Sequence, residues 1–472
     1  MDRKIIAERI FTAADLGSFA AFSGDINPMH IDEVAARRTI FGAPVVHGMY
    51  LLCWALESLF KNHIRTSTAL TKLTASFNRG VLVGKAVQTA VVKEGDEFTL
   101  EIRHEGATMS LIQGRLGPAV AYLESLPPPQ PMECRANDYT SASQAHGALP
   151  LSYRAATADR LFPSLSAALP PFQMAALLAT TRLVGMESPG LNSLYSAMEI
   201  TFDTAASGRP EMNFCVDNAD PRFGLLSLNV RGPGFHGKLR AFLRPGPCLQ
   251  ASVSELAGLV EEGEFAGQQA LVIGGSRGLG EIAAKLLAVG GADVTITHHR
   301  GKEDAESVAT EINAAGGRCQ VAFFDSNHPT PIATPAPPTH LYYFATPHIT
   351  SDRSVPFSVE RFTEYCRCYV TAFVQTLLQF AQGAPTIKVL YPSTVFLNEP
   401  PQMSEYCAAK VAGEEVCRHL AGRFPNWRIY APRLPRMHTD QNNGLLRLTK
   451  TYKPEEIILP YLRALHQDRP DN

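Results

Sequence analysis

The chain has 472 residues, which at roughly 100 to 200 residues per domain predicts two to four domains and excludes a single small module. Its 43 lysine and arginine residues nearly balance 45 aspartate and glutamate residues, and this net charge of −2 predicts no nucleic-acid partner. No uninterrupted apolar run approaches the roughly 18 residues of a membrane-spanning helix, and the first residues lack the pattern of a secretory signal. We therefore expect a soluble, cytoplasmic protein that does not bind membranes.

The nine cysteines are scattered along the chain, are odd in number and include no C-x-x-C pair. A disulfide framework or a structural zinc site needs closer, paired spacing. We therefore expect reduced, mostly buried thiols and no metal site, and we interpret Cys407 as a small buried residue rather than a nucleophile.

Two proline-rich stretches, residues 126–131 and 245–247, divide the chain. The predicted domains are residues 1–130, 131–258 and 259–472. The first two blocks each predict one helix followed by antiparallel strands, which is an α+β pattern. The helices are predicted at residues 47–61 and 172–184, and the strands at residues 70–77, 86–92, 98–103, 196–202, 212–216, 225–230 and 237–242.

The third block changes to a different pattern. A continuous apolar run at residues 269–273 is followed by a glycine-rich turn, a helical pattern at residues 281–289 and a second apolar strand at residues 292–297. This order of strand, turn, helix and strand predicts a doubly wound parallel sheet of the Rossmann type. The predicted fold is therefore multidomain, with α+β blocks followed by an α/β domain.

The first motif that suggests chemistry joins Asp25 to His30 through a rigid Asn27-Pro28 turn. A carboxylate and an imidazole that converge on one water can act as base and acid when water is added to, or removed from, a carbon–carbon double bond. Taken alone, the two residues also fit a simple Asx turn that carries a surface histidine.

The wider context favours the chemical interpretation. The ordered series GDINPMH at residues 24–30, FGAPVVHGM at residues 41–49 and FNRGVLVG at residues 77–84 resembles the R-specific enoyl-CoA hydratases and MaoC-like dehydratases over about residues 10–118. That resemblance implies a hot-dog fold in which Asp25 and His30 hold the catalytic water, and the backbone amide of Gly48 polarises the thioester carbonyl. His47 is interpreted as structural.

The second block has the same layout but lacks the Asp-x-Asn-Pro-x-His motif. By the same resemblance it is predicted to be the silent half of a double hot-dog, which provides room for the acyl chain of the active half. A separate β-rich linker domain is the alternative.

The glycine-rich turn of the third block predicts a dinucleotide site. Its residues Gly274, Ser276, Arg277, Gly278, Leu279 and Gly280 follow a buried strand and open a helix, where a pyrophosphate can approach the helix N-terminus. No acidic residue follows the second strand, and Arg277 and Arg300 can instead pair with a 2′-phosphate, so NADPH is favoured over NADH.

Tyr406 and Lys410 lie four residues apart on one predicted helical face, and Ser393 follows a predicted strand at residues 387–391. A neighbouring ammonium group is expected to favour the ionised form of the tyrosine. With the glycine turn, this set resembles the short-chain dehydrogenases/reductases over about residues 266–445. The resemblance implies that Ser393 orients a carbonyl, that Tyr406 exchanges its proton and that Lys410 binds the nicotinamide ribose. Asp325 matches the residue near the adenine.

The sequence also departs from that family. Tyr343-Phe344-Ala345-Thr346 replaces the usual Asn-Asn-Ala-Gly, Tyr369 stands at the position of the helix asparagine, and residues 327–339 are rich in proline where a helix is usual. Arg433 follows Pro432 in place of a glycine, and the final strand is expected to be absent. Both a divergent active reductase and a nucleotide-binding relic therefore stay open.

Both resemblances imply chemistry at the β-carbon of an acyl thioester. The combined hypothesis is a bifunctional enzyme that uses NADPH to reduce 3-oxoacyl thioesters and that dehydrates (3R)-hydroxyacyl thioesters or hydrates enoyl thioesters, with coenzyme A or acyl carrier protein as the carrier. The alternatives are a hydratase with a non-catalytic dinucleotide domain, a reductase of other carbonyl compounds, and a non-enzymatic acyl-binding scaffold. A homo-oligomer is compatible with all of them.

Overall fold

The computed structural model describes residues 4–64, 68–118, 126–203, 208–349, 357–381, 386–398, 403–437, 439 and 452–467. These residues form two compact units, one that ends at Gly246 (unit 1) and one that begins at Pro247 (unit 2). The change of unit falls within the proline-rich stretch at residues 245–247, while the three-domain division at residues 130 and 258 stays a prediction. Within the described ranges, no helix combines the length and apolar character that a membrane span requires.

Unit 1 is built on one antiparallel sheet of ten strands. The strands are β1 (Lys4–Ile10), β2 (Ala69–Phe77), β3 (Ala86–Glu94), β4 (Glu97–His104), β5 (Ala107–Gly117), β6 (His146–Pro150), β7 (Ser193–Phe202), β8 (Glu211–Asp220), β9 (Leu225–Gly232) and β10 (Phe235–Leu243). Their order in the sheet is β1-β3-β4-β5-β2-β7-β10-β9-β8-β6. The two halves meet where β2 pairs with β7, with Ala75 opposite Met198.

The helices of unit 1 include one long buried helix in each half. They are α1 (Ala13–Ser23), α2 (Pro28–Ile31), α3 (Glu33–Ala36), α4 (Gly48–His63), α5 (Tyr139–Ser143), α6 (Ala155–Leu161), α7 (Pro163–Ala168) and α8 (Pro171–Arg182). A π-helical turn, Leu183–Glu187, extends α8.

The two long helices are buried over most of their length, as expected for helices wrapped by a sheet. In α4 every residue from Met49 to Phe60 is buried except Glu57, whose carboxylate accepts amides at the start of α7. In α8 every residue after Pro171 is buried, and the Gln173 amide group exchanges two hydrogen bonds with the backbone of Leu70 in β2. The two halves share one sheet, so the alternative of a separate linker domain is wrong. That the second half is a silent hot-dog stays a prediction.

Unit 2 contains a six-stranded parallel sheet in the order β13-β12-β11-β14-β15-β17. Its strands are β11 (Gln269–Ile273), β12 (Asp293–His298), β13 (Arg318–Phe323), β14 (His340–Tyr343), β15 (Ile387–Leu390), β16 (Ser393–Thr394), β17 (Trp427–Tyr430) and β18 (Arg433–Leu434), of which β16 and β18 form a separate pair. Its helices are α9 (Val253–Leu256), α10 (Gly278–Val289), α11 (Lys302–Ala314), α12 (Val359–Cys366), α13 (Phe373–Phe380), α14 (Ser404–Arg423) and α15 (Pro454–His466).

The central strand β11 lies between β12 and β14. The next two strands of the chain, β12 and β13, extend the sheet on one side of β11, and the later strands β14, β15 and β17 extend it on the other. This is the switch point at which doubly wound sheets bind ligands, beyond the carboxyl ends of the strands. The predicted Rossmann-type sheet is confirmed. Residues 327–339 contain no helix, as predicted. The described residues show no strand of this sheet beyond β17, and the absence of a final strand stays a prediction.

None of the nine cysteines forms a disulfide, but they are less buried than predicted. Four are buried, Cys215 is exposed and the rest, including Cys407, are half-buried. The prediction of a buried Cys407 is therefore wrong, because only one side of its helix α14 packs against the unit core.

Two candidate active sites

The loop after α1 directs the first motif into the interior. Gly24 ends α1 in a left-handed conformation with φ of 76°. Asn27 caps α2 by accepting an amide of its first turn at 3.1 Å, and Pro28 occupies the first helical position. Asp25 and His30 are consequently only 2% and 9% exposed. The alternative of a turn that carries a surface histidine is wrong.

Asp25 and His30 form a buried polar cluster with His47, in which side-chain atoms of all three lie within 4.8 Å of one another. Nδ1 of His30 donates to the carbonyl of Val45 at 2.6 Å, which leaves Nε2 as the basic atom. Burial lowers the pKa of His30, and the charge of Asp25 opposes that effect. Burial also raises the pKa of Asp25, against the effects of His30 and the Thr181 hydroxyl. The cluster therefore pairs a neutral imidazole with a carboxyl group that holds its proton unusually tightly.

His47 holds the motif loop in place. Its Nε2 donates to the main-chain carbonyl of Asp25 at 3.0 Å, and its ring stacks on His30 with centroids 3.7 Å apart. Burial, with a smaller contribution from His30, keeps the pKa of His47 well below its usual value. Because the two rings are stacked face to face, the nitrogen lone pairs of His30 and His47 lie in two separate planes. They do not point at one position, so the pair is poorly suited to bind a shared metal ion.

Gly48 is the first residue of α4, where backbone amides have no acceptor within the helix. A Cβ at this position would lie 2.9 Å from the ring of Phe77, so a glycine allows the close packing seen here. The amide lies at the positive end of the helix dipole, which suits it to stabilise an oxyanion.

The half without the motif contributes directly to the site. Thr181 of α8 donates its hydroxyl to Oδ2 of Asp25 at 2.7 Å. A Cβ on Gly185 would lie 2.2 Å from Oδ1 of Asp25, so only glycine fits, and the Gly185 carbonyl accepts the side-chain amide of Asn27 at 2.8 Å. Neither Thr181 nor Gly185 was predicted from the sequence. The only signal in the sequence was the glycine directly after the helix predicted at residues 172–184. The candidate site is composite.

The glycine-rich turn of unit 2 has the backbone that a dinucleotide site needs. Gly274 has φ of 80°, and a Cβ there would lie 2.8 Å from the amide nitrogen of Ala345. A Cβ on Gly280 would lie 2.2 Å from the carbonyl oxygen of Gly274. Gly278 begins α10 with φ of 59° and faces open space, which leaves room for a pyrophosphate at the helix N-terminus. The turn therefore fits the pyrophosphate of a dinucleotide.

The side chains predicted to contact the cofactor lie around this turn. Ser276 is buried, and Leu279 packs against the core of unit 2. Arg277 is half-buried directly before α10, whereas Arg300 is exposed just beyond the end of β12. Both arginines are therefore near the carboxyl edge of the sheet, where a 2′-phosphate is expected.

Asp325 follows β13 and is engaged within its own loop. Its Oδ1 accepts the amide of Asn327 at 2.8 Å, and Nδ1 of His328 lies 3.2 Å from Oδ2. Nε2 of His299 lies 3.6 Å from the carboxylate. Burial acts to raise the pKa of Asp325, but these neighbours outweigh it and lower the pKa.

The three reductase motif residues are buried, and each has a different partner. Ser393 donates its hydroxyl to Oε1 of Glu414 at 2.5 Å, and Glu414 is itself paired with Arg433. Burial raises the pKa of Tyr406, and the side chain of Thr394 is its hydrogen-bond partner. The expectation that a neighbouring ammonium favours the ionised tyrosine is wrong, because burial dominates.

Lys410 lies in a cage of aromatic rings. Its Nζ donates to the carbonyl of Pro392 at 2.7 Å and lies 3.9 Å from the ring centroid of Tyr369 and 4.9 Å from that of Tyr391. Burial lowers its pKa to about 8. Tyr369, at the position of the family asparagine, also bonds Thr346 through its hydroxyl at 2.5 Å. Tyr369, which replaces the family asparagine, therefore contacts Lys410 and bonds Thr346, a second position that differs from the family.

Comparisons with known proteins match two separate parts of the chain. The family model described as MaoC like domain matches residues 1–113, and the model described as short chain dehydrogenase matches residues 268–334. The (R)-specific enoyl-CoA hydratase of Aeromonas caviae is 51% identical over 41 residues, which are 9% of this chain and 31% of that protein. The 3-hydroxybutyryl-CoA dehydratase of Methylorubrum extorquens is 29% identical over 86 residues, 18% of this chain and 55% of that protein. The chain thus covers less than two thirds of either relative.

Among solved structures, a short chain dehydrogenase from Burkholderia cenocepacia J2315 in complex with NADP is 21% identical. The alignment covers 43% of this chain and 91% of that chain, with a TM-score of 0.37. This likeness is too weak to assign a cofactor here. The two family models, together with the motifs and folds described above, show that the chain joins a MaoC-like domain at its N-terminus to a short-chain dehydrogenase domain.

Proposed function

We propose that this chain is a bifunctional enzyme that acts on acyl thioesters. Unit 1 would interconvert (3R)-hydroxyacyl and enoyl thioesters, and unit 2 would reduce 3-oxoacyl thioesters with NADPH. The observation that carries the first activity is the buried pair of His30 and Asp25 beside the first amide of α4. The proposed carrier is coenzyme A, and acyl carrier protein is the alternative.

The geometry of unit 1 supports a division of roles in dehydration. Nε2 of His30 is the free basic atom, so it would take the α-proton of the substrate. Asp25, with its raised pKa, would protonate the departing 3-hydroxyl group, which leaves as water. The amide of Gly48 would stabilise the negative charge on the thioester oxygen. Hydration is the reverse sequence.

In unit 2, the glycine turn would hold the pyrophosphate of the cofactor, and Arg277 with Arg300 would hold its 2′-phosphate. NADPH, when bound, supplies the hydride for carbonyl reduction. The raised pKa of Tyr406 keeps its hydroxyl protonated, so it would donate the proton to the carbonyl oxygen. Lys410 would contact the ribose only after its ammonium turns away from Pro392.

A second candidate function is supported by the same residues. Because Ser393 is bonded to Glu414 and Lys410 is caged, unit 2 also fits a dinucleotide-binding domain without turnover beside an active hydratase. A paired assay separates the two. Acetoacetyl-CoA with NADPH reports reduction through cofactor absorbance, and crotonyl-CoA reports hydration through loss of the enoyl absorbance.

We expect the unchanged protein to catalyse both reactions. Asp25→Asn should abolish hydration, and Tyr406→Phe should abolish reduction. Hydration alone, with NADPH binding but no oxidation, would favour the second candidate. The same assay with carbonyl compounds that are not thioesters tests a general carbonyl reductase. Tight thioester binding without either reaction would contradict the enzyme proposal and support an acyl-binding scaffold.

A further inference from the structure

Arg244 follows β10 and lies beside the motif loop of unit 1. It is 7% exposed. One of its terminal nitrogens, Nη2, lies 3.5 Å from the carbonyl oxygen of Leu191, and the same oxygen accepts the side-chain amide of Asn27 at 3.3 Å. The guanidinium group therefore borders the loop that carries Asp25 and His30. Its charge also contributes to lowering the pKa of His30.

No described acidic residue of unit 1 neutralises this buried cation. Among the residues that the structure describes, no carboxylate forms an ion pair with Arg244, and its Nε has no hydrogen-bond partner. Two acids of unit 1 have other partners, because Asp25 accepts the hydroxyl of Thr181 and Glu187 pairs with Arg135 at 2.8 Å. A buried, unpaired charge is expensive, so its retention needs a compensating group.

Arg182, a second buried arginine in the same half of unit 1, differs from Arg244 in its hydrogen-bond partners. Arg182 is 3% exposed and its Nε is also unpaired, but its two terminal nitrogens donate to the hydroxyl of Ser152 and the carbonyl of Pro150. Arg182 therefore has partners within the fold. Among the described residues, Arg244 has a single long contact, to a carbonyl oxygen, and its Nε has no partner.

The position limits which part of a thioester substrate can supply the missing acceptor. The phosphates of coenzyme A lie at the far end of the pantetheine arm, away from the reacting carbons, so they cannot reach a group beside the His30 loop. The thioester carbonyl is assigned to the amide of Gly48 in the proposed reaction. The acceptor must then belong to the acyl chain, and a carboxylate matches the planar guanidinium best.

We propose that Arg244 binds a carboxylate on the acyl chain, so that the preferred substrates of unit 1 are thioesters of dicarboxylic acids. This proposal rests on the proposed function because it assumes that acyl thioesters occupy the site of Asp25 and His30. It makes Arg244, from the half without the motif, the residue that determines specificity.

Binding of unreactive thioesters tests the proposal without turnover. Glutaryl-CoA and valeryl-CoA have the same number of acyl carbons and differ in the terminal carboxylate. We expect calorimetry on the full chain to show about tenfold or more tighter binding of glutaryl-CoA, and we expect Arg244→Met to abolish that preference. Arg240→Met, an exposed position on β10, is the matched control and should keep it.

Hydration of two matched pairs provides the second readout, with fumaryl-CoA against crotonyl-CoA and glutaconyl-CoA against 2-pentenoyl-CoA. The ratio of kcat/KM within each pair should favour a carboxylated substrate by about tenfold or more in the unchanged protein. If the protein prefers none of the three carboxylated thioesters over its uncharged match, in binding or in hydration, the proposal is wrong, whether or not Arg244→Met folds. If glutaryl-CoA binds preferentially but no enoyl thioester is hydrated, the proposed function fails and the carboxylate site stands.

Discussion

In unit 1 the motif residues face one another, whereas in unit 2 each motif residue is bonded to a different group. Asp25, His30 and His47 share one cluster within 4.8 Å, with the basic nitrogen of His30 free. Ser393 is bonded to Glu414, and Lys410 to a carbonyl within an aromatic cage. A complete sequence motif therefore does not by itself show that its reactive atoms are available.

The reason for this difference lies in the residues around each motif. In unit 1, Thr181 donates to the Asp25 carboxylate, and the Val45 carbonyl accepts from Nδ1 of His30, which leaves Nε2 as the basic atom. In unit 2, Glu414 and Arg433 form an ion pair that engages Ser393, and Arg433 replaces the usual glycine of the family. Residues outside the motif thus engage the hydroxyl of the motif serine.

Among the substitutions that test this comparison, His30→Gln has the largest expected effect. Glutamine removes the basic Nε2, so we expect hydration of crotonyl-CoA to fall by roughly 100-fold to 10,000-fold while NADPH oxidation is unchanged. The kcat/KM for each reaction measures this. His63→Gln, at the exposed end of α4, is the control. Hydration that survives in His30→Gln would show that the cluster is structural.

Gly185→Ala tests whether the half without the motif shapes the site. The added Cβ would lie 2.2 Å from Oδ1 of Asp25, so we expect the carboxylate to be displaced and hydration to fall by about 100-fold. Activity and the unfolding temperature should be measured together. Gly17→Ala places a Cβ in open space on α1, so it should leave hydration unchanged and should not lower the unfolding temperature. Unchanged hydration in Gly185→Ala would mean that the two halves are catalytically independent.

Thr181→Val removes one hydrogen bond from the Asp25 carboxylate and keeps the side-chain shape. That hydroxyl lowers the pKa of Asp25, so its loss should raise the pKa further and move the pH limb that Asp25 sets to higher pH. We expect kcat to fall about tenfold. The pH profile of kcat is the measurement, and Thr181→Ser should restore it. A profile that does not move would contradict the positioning role of Thr181.

The smallest expected effect is in unit 2. Glu414→Gln weakens the acceptor that holds the Ser393 hydroxyl, so we expect reduction of acetoacetyl-CoA to rise several-fold. Initial rates of NADPH oxidation report this. Glu415→Gln is the matched control, because Glu415 is exposed and pairs with Arg418 and His419 of its own helix. A fall in reduction would instead show that Glu414 takes part in the active arrangement.

Much of the fold follows directly from the sequence. The helix predicted at residues 47–61 is α4, and the run at residues 269–273 is β11 with the same bounds, because long apolar patterns and a glycine turn are local signals. Gly24, Asn27 and Pro28 also form their turn locally. The bonding of Ser393 and the half-buried Cys407 were not predictable, since both depend on how α14 packs.

The sequence alone thus determined the two folds, the loop of Asp25 and His30, and the glycine turn at Gly274, because each depends on residues close together in the chain. Only the tertiary structure decided that Thr181 and Gly185 complete the first site, that Arg244 lies unpaired beside it, and that Glu414 engages the second. Those contacts join residues far apart in sequence. Their formation depends on sheet pairing and helix packing, which no local pattern encodes.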